Sequence, residues 1–195
     1  MRPSLCEDAL RLGRILAGLM PAEPEVHGLV ALMEIQASRS AARVGIDGAP
    51  ILLLDQNRAR WDQMLIRNGL AALDRAERCG KPRGSYFLQA EIAACHARAR
   101  HAEDTDWIRV AALYAQLAAV APSPVVQLNR AVALSMAFGP QAGLDLADTL
   151  IGEPALEQYH LFPSVRGDLL MKLGRLQEAQ PEFERAASLT RNVRE

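Results

Sequence analysis

The sequence predicts an all-α fold, a stack of helical hairpins, and three observations lead there. Half of the 195 residues are apolar but only 5% are aromatic, with Ala and Leu dominant and Arg and Glu decorating them, a composition of packed helices rather than sheets. Apolar positions recur at helical spacing along most of the chain. Gly139 and Gly174 lie 35 residues apart, and each closes one apolar helix and precedes an amphipathic one.

Taken in order, Leu5, Ala9, Leu12, Leu16 and Leu19 mark a first helix ended by Pro21, and Pro24 opens a second near Glu25. These form a first helical hairpin over 1–43. Residues 44–57 break the period and read as an irregular loop. Within it Asp47-Gly48 and Pro50 mark a turn between Val44-Gly45-Ile46 and Ile51 to Leu54, a pattern that suits a small β-hairpin near 44–56. A long helix over about 58–79 buries Trp61, Leu65, Leu70 and Leu73, stops at Gly80, and passes into the loop Lys81-Pro82-Arg83-Gly84.

The spacing of Gly139 and Gly174 is close to the tetratricopeptide period of ~34 residues. LLMKLGRLQEAQPEFERAASL, the clearest copy, places Leu173-Gly174 at a tight turn and Ala179 and Ala186 where neighbouring backbones approach. One period upstream of Gly139 stands Asp104, and Asp104-Thr105-Asp106 suits a cap for the helix bearing Trp107, Ala111, Leu113, Tyr114 and Leu117. Residues 84–195 thus read as three degenerate helix pairs, 85–121, 124–152 and 155–191, of one helical-repeat domain. Pro181, expected in the first turn or so of a helix, and the loosely fitting Ala94 and Tyr114 depart from the repeat pattern. Stacked pairs of this kind form a right-handed superhelix whose concave side receives a partner, which points to binding rather than chemistry.

Composition excludes several function classes. A net charge of −1 lacks the basic footprint of a chain that holds DNA by itself. Cys6, Cys79 and Cys95 are too few and too scattered for a disulfide scaffold or zinc knuckle, and they suit a reducing cytoplasm. No apolar run reaches the ~18–20 residues of a membrane span. The cytoplasm is the expected location.

No nucleophile with a neighbouring base is legible, so no catalytic residue is assigned and an enzyme is the least favoured class. His27, His96, His101 and His160 are dispersed. Cys95, His96, His101 and Asp104 cluster without a familiar metal-ligand spacing, so Cys95 reads as a core residue and His101 as finishing a helix C-terminus. Glycine-rich phosphate loops are absent, and no cofactor or metal is expected. The charges of 182–195 read as a solvated face and tail. Asn129-Arg130 follows Pro122-Ser123-Pro124 by one helical turn. Asn129 reads first as a hydrogen bond to the next repeat, and second as a groove residue gripping a partner's backbone.

The motif richest in information is LLLDQNRARWD at 52–62. Asp55 or Asn57 suits a cap for a helix beginning near Arg58, within which the Arg58 guanidinium bridges Asp62 while the Trp61 indole covers its stem. A structural clamp tying the loop to the helices is the preferred reading, and a contact surface the sharper one. The pattern Asp-Gln-x-Arg-x-x-Trp-Asp after an apolar run resembles the C-terminal extension of one bacterial group of extracytoplasmic-function sigma factors, which contains tetratricopeptide-type repeats. LCEDALRLGRIL at 5–16, PAEPEVHGLVALM at 21–33, HAEDTDW at 101–107 and PSPVVQLNRAVAL at 122–134 agree in order and spacing, from about Leu5 to Leu189.

The resemblance implies a regulatory, protein-interacting part of a longer sigma factor acting in transcription initiation. Its expected partners are the sigma factor's own amino-terminal promoter-binding domains and core RNA polymerase, with DNA reached only through those domains, which this chain lacks. Asp55, Arg58, Trp61, Asp62, Asn129 and Arg130 are the candidate contacts, and Asp104, Thr105, Gly139 and Gly174 the caps and turns. A free-standing tetratricopeptide-type adaptor for a peptide or protein is the alternative, and a homodimer stays open.

Overall fold

A computed structural model describes residues 3–46 and 48–190, and the described residues are all-helical, with one isolated β-bridge. Among the described residues nine α-helices run in order: α1 (Pro3–Leu19), α2 (Pro24–Ser38), α3 (Gln63–Arg78), α4 (Ser85–Arg98), α5 (Trp107–Val120), α6 (Pro124–Phe138), α7 (Pro140–Asp148), α8 (Leu161–Lys172) and α9 (Leu176–Leu189). The chain forms two compact units, Met1–Asp106 and Trp107–Glu195.

In the first unit α2 is central, packed by α1, α3 and α4. Its sequence is apolar nearly all round because it is surrounded: Val30, Ala31 and Ile35 meet Ala72, Leu73 and Ala76 of α3 and Phe87, Ala90 and Ala94 of α4. Small residues set the spacing. A Cβ on Gly28 would come within 2.6 Å of the Phe87 backbone nitrogen, and one on Gly69 within 2.6 Å of Ile35.

The α1 stripe departs from expectation. Leu10 and Gly13 are its buried residues, whereas Leu5, Leu12, Ile15, Leu16 and Leu19 are exposed on the other side. The expected period is present, but within this unit it faces outward.

The irregular segment is also more finely divided than its sequence suggests. After α2 a 3-10 turn covers Ser40–Ala42, and further 3-10 turns cover Leu53–Asp55 and Arg58–Arg60. The expected hairpin reduces to a single antiparallel bridge between Val44 and Pro50, because the chain enters the 3-10 turn at Leu53 instead of extending the ladder. Asp47 lies outside the described residues. The expected helix at 58–79 starts later: Asn57 caps the Arg58–Arg60 turn, and Asp62 caps α3 by accepting from the Met64 and Leu65 amides at 2.8 and 3.1 Å. Gly80, at φ +66°, follows its end as expected.

In the second unit consecutive helices pack on one another from α5 through α9. Ala131, Leu144, Ala147, Leu169, Leu170 and Ala179 form one core cluster, and Leu128, Leu150, Leu156 and Phe162 another. The spans 124–152 and 155–191 each hold a packed pair, α6 with α7 and α8 with α9. The first expected pair, 85–121, is not one: α4 packs on α2 and α5 on α6, and the division between units falls inside that span.

Both repeat glycines sit at helix ends with positive φ, Gly139 at +97° and Gly174 at +75°. At Gly174 the Arg175 amide reaches back to the Leu170 carbonyl at 3.0 Å, a closure that needs the left-handed residue between them. Ala179 and Ala186 are buried, as their small size requires. Pro181 stands inside α9, deeper than the first turn, so the Gln177 carbonyl that its missing N–H would have met is on an exposed stretch.

Candidate functional site

The site grows from the way α4 is held. Gly84 at its N-terminus has no side chain to cap with, and Glu25 of α2 supplies the carboxylate, accepting from the Tyr86 and Phe87 amides at 2.9 and 3.1 Å. Arg58 holds the other end. Its Nη1 donates to the His96 and Ala99 carbonyls at 2.6 and 2.9 Å, and its Nη2 to the Thr105 hydroxyl at 3.1 Å. An anion at the N-terminus and a cation at the C-terminus both oppose the helix dipole, so α4 is pinned electrostatically at each end.

Arg58 therefore does not bridge Asp62, as the sequence suggested. The Arg58–Arg60 turn is 3-10 and extended backbone follows at Trp61, which removes the i, i+4 geometry and frees Asp62 to cap α3. The indole does cover the guanidinium: Arg58 lies 5.2 Å from the Trp61 ring centroid, and Arg39 lies 5.7 Å from it. Trp61 is 3% exposed and packs with Ala42 and Ile66.

Two guanidiniums, those of Arg39 and Arg58, thus stand near one buried indole. Arg39 and Arg43 both donate to the Gln36 side-chain oxygen, and Arg43 also to the Gln36 carbonyl at 3.1 Å. Burial first, then the charges of Arg43 and Arg58, lowers the Arg39 pKa to about 10, so it stays charged at neutral pH. Burial also lowers that of Arg58, against the pull of Asp104 and Glu103. His96 is pushed down to about 4, by burial first and then by Arg58 and Arg39, and is neutral at pH 7. The Arg43 Nε, Arg58 Nε and Trp61 Nε1 donors are buried and find no acceptor among the described residues.

An open cavity of about 370 Å³ adjoins this group, lined by Arg58, Ala59, Trp61, Gln63, Ile66 and Ala97 and rimmed by Arg98, Ala99 and Arg100. Arg98 lies 3.7 Å from Glu91, and Arg100 is exposed.

The other candidates are dispersed. Asp55 is exposed at the end of its turn. Asn129 is exposed on α6 and makes no side-chain hydrogen bond to a described residue, so the expected link to the next repeat is not formed; Arg130 beside it is half-buried. His101 does not finish a helix, since α4 ends at Arg98. It opens the Ala102–Asp104 turn in a reciprocal cap with Asp104, whose carboxylate accepts from the His101 amide at 3.2 Å. Asp104 is thereby used before α5 begins, and Thr105, the other expected cap, is buried as the acceptor for Arg58. Cys95 is buried in α4, as expected, and among the described residues no cysteine is in a disulfide. Sequence reading missed Arg39, Arg43, Arg98 and Arg100. The i, i+4 spacing of Arg39 and Arg43 was the one available signal, and nothing local ties Arg98 or Arg100 to Trp61.

Residues 1–77 match a protein family described as "Family of unknown function (DUF6596)". An uncharacterized protein of Rhizobium meliloti (strain 1021) is 48% identical over 191 residues, which cover 98% of this chain and 44% of that protein. The chain spans less than half the length of that curated relative. No solved structure matches it. Among the described residues no helix is long and apolar enough to cross a membrane.

Proposed function

We propose that this chain is the regulatory, protein-interacting C-terminal region of an extracytoplasmic-function sigma factor. In this reading it works in the cytoplasm during transcription initiation, positioning or restraining the promoter-binding domains against core RNA polymerase. The observation that carries the reading is the Asp55-Gln56-x-Arg58-x-x-Trp61-Asp62 motif, in order with the four other segments that resemble that group.

Three features support it. The motif's Arg58 and Trp61 form the node that joins the irregular segment to α4, so a load applied there is transmitted to a helix core. The exposed apolar row of α1 is a surface of the kind that protein contacts use. The Rhizobium meliloti relative carries its matching region as 44% of a longer polypeptide. The paired helices and the 35-residue glycine spacing further support a tetratricopeptide-like, right-handed stacking of the repeats. That spacing equally favours the second reading, a free-standing adaptor for a peptide or protein.

Sequencing the gene upstream separates the two: an in-frame helix-turn-helix region is expected, and an in-frame stop immediately upstream would favour the adaptor. The motif itself is tested in the full-length protein. Arg58 and Trp61 are buried, so the informative substitution is at exposed Asp55. Asp55→Lys should change promoter-directed transcription without moving the thermal unfolding of the chain, and unchanged transcription would remove Asp55 from the contact.

A further inference from the structure

We infer that the cavity beside Trp61 is a binding site for a small phosphate-bearing anion. Three guanidiniums, those of Arg58, Arg98 and Arg100, line it, and no carboxylate does. Two of them are exposed at the rim, while Arg58 is 9% exposed, its terminal nitrogens closing the end of α4. No carboxylate is hydrogen-bonded to Arg58, and a second guanidinium, that of Arg39, lies 5.7 Å from the centroid of the same indole, a local gathering of positive charge that an anion would relieve.

Size and charge select the class of anion. About 370 Å³ is within the range of small-molecule sites and too small for a folded partner element. Glu91 lies 3.7 Å from Arg98, and the charges of Asp104 and Glu103 act on Arg58, but none of the three lines the cavity, so the charge open to a ligand is that of the exposed rim guanidiniums, Arg98 and Arg100. A phosphate monoester carries roughly −1.5 to −2 at neutral pH and presents three acceptor oxygens, which planar guanidiniums bind in pairs. Ile66, Ala59 and Ala97 supply an apolar wall for the rest of such a ligand. Occupation would couple the Arg58–Trp61 node to a metabolite. That regulatory consequence rests on the sigma-factor reading, whereas binding itself does not.

Trp61 is the natural reporter, because the chain has only two tryptophans and Trp107→Phe leaves it alone. The Trp107→Phe chain is titrated with inorganic phosphate and with glycerol 3-phosphate, sodium chloride holding ionic strength constant, and acetate as a parallel arm. A saturable change in Trp61 emission with both phosphates is expected. Arg98→Glu with Arg100→Glu, both exposed, should weaken it about tenfold or more while helicity by circular dichroism is kept, and Arg98→Gln with Arg100→Gln should fall between. A change that only tracks ionic strength, no saturable change, or equal affinity in the charge-reversed chain would overturn the site. A response to acetate as strong as that to phosphate would overturn the phosphate assignment in favour of a carboxylate side chain of a partner. The assay contains neither polymerase nor promoter, so its failure and that of the sigma-factor reading are separate results.

Discussion

Replacing Arg58 by alanine removes, in one step, the cation at the C-terminus of α4 and three hydrogen bonds to His96, Ala99 and Thr105. Each bond from a charged donor contributes on the order of 1.5–3 kcal/mol, but the three share one guanidinium and are not additive. The His96 carbonyl and Thr105 hydroxyl lie in buried residues, so their lost partners are poorly replaced by water. Trp61 also loses the cation over its ring. A net loss of about 3–5 kcal/mol follows, a large share of the ~5–15 kcal/mol that holds a typical domain. The measurement is urea unfolding of the Trp107→Phe chain followed by Trp61 emission, with and without Arg58→Ala. Arg58→Lys keeps the charge but lacks the planar fork, and it should recover about 1 kcal/mol at most. A loss below about 1 kcal/mol on Arg58→Ala would refute the pinning of α4 by this side chain.

Other consequences follow from particular contacts. His96 has a folded pKa of about 4 against an ordinary 6.5, so its contribution is full above pH ~6.5 and is lost as pH falls toward 4, about 3 kcal/mol in all. Urea unfolding against pH should show that loss in the natural chain and much less of it in His96→Gln, the carboxylates being common to both. Gly28→Ala must push α2 away from the Phe87 backbone 2.6 Å from the new Cβ, and a cost of about 2–3 kcal/mol is expected in the unfolding of the first unit. In the second unit Arg166 donates to Asp148 at 2.8 Å and also to Glu182, joining α7 and α9 through α8. Arg166→Ala should cost about 1–3 kcal/mol, read by circular dichroism, and less at high salt.

Helices were legible where a cap or glycine marks them locally. Pro24, Gly80, Gly139 and Gly174 all stand where their backbone chemistry placed them. The start of α3 was misplaced because Asn57 and Asp62 are both competent caps, and choosing between them requires knowing that Arg58 is drawn toward α4. The apolar row of α1 was legible as a helix but not as an exposed one, since period reports a face and not what covers it. The site was half legible. Arg58 and Trp61 belong to one motif, whereas Arg39 comes near Trp61, and Arg98 lines the cavity beside it, only after the chain has folded, a juxtaposition that no local spacing encodes. Asn129 misled because its apolar neighbours suggested burial, yet it takes the outward position between them.

The proposed role in transcription initiation requires this chain to hold a component of the initiation machinery. It is tested by capture on the immobilised purified chain, with the proposed amino-terminal promoter-binding domains added in trans and core RNA polymerase offered separately and together with them. Retention of those domains or of polymerase subunits is the predicted result. Passage of both through the column, with retention only of proteins unrelated to transcription, would contradict it and leave the adaptor reading.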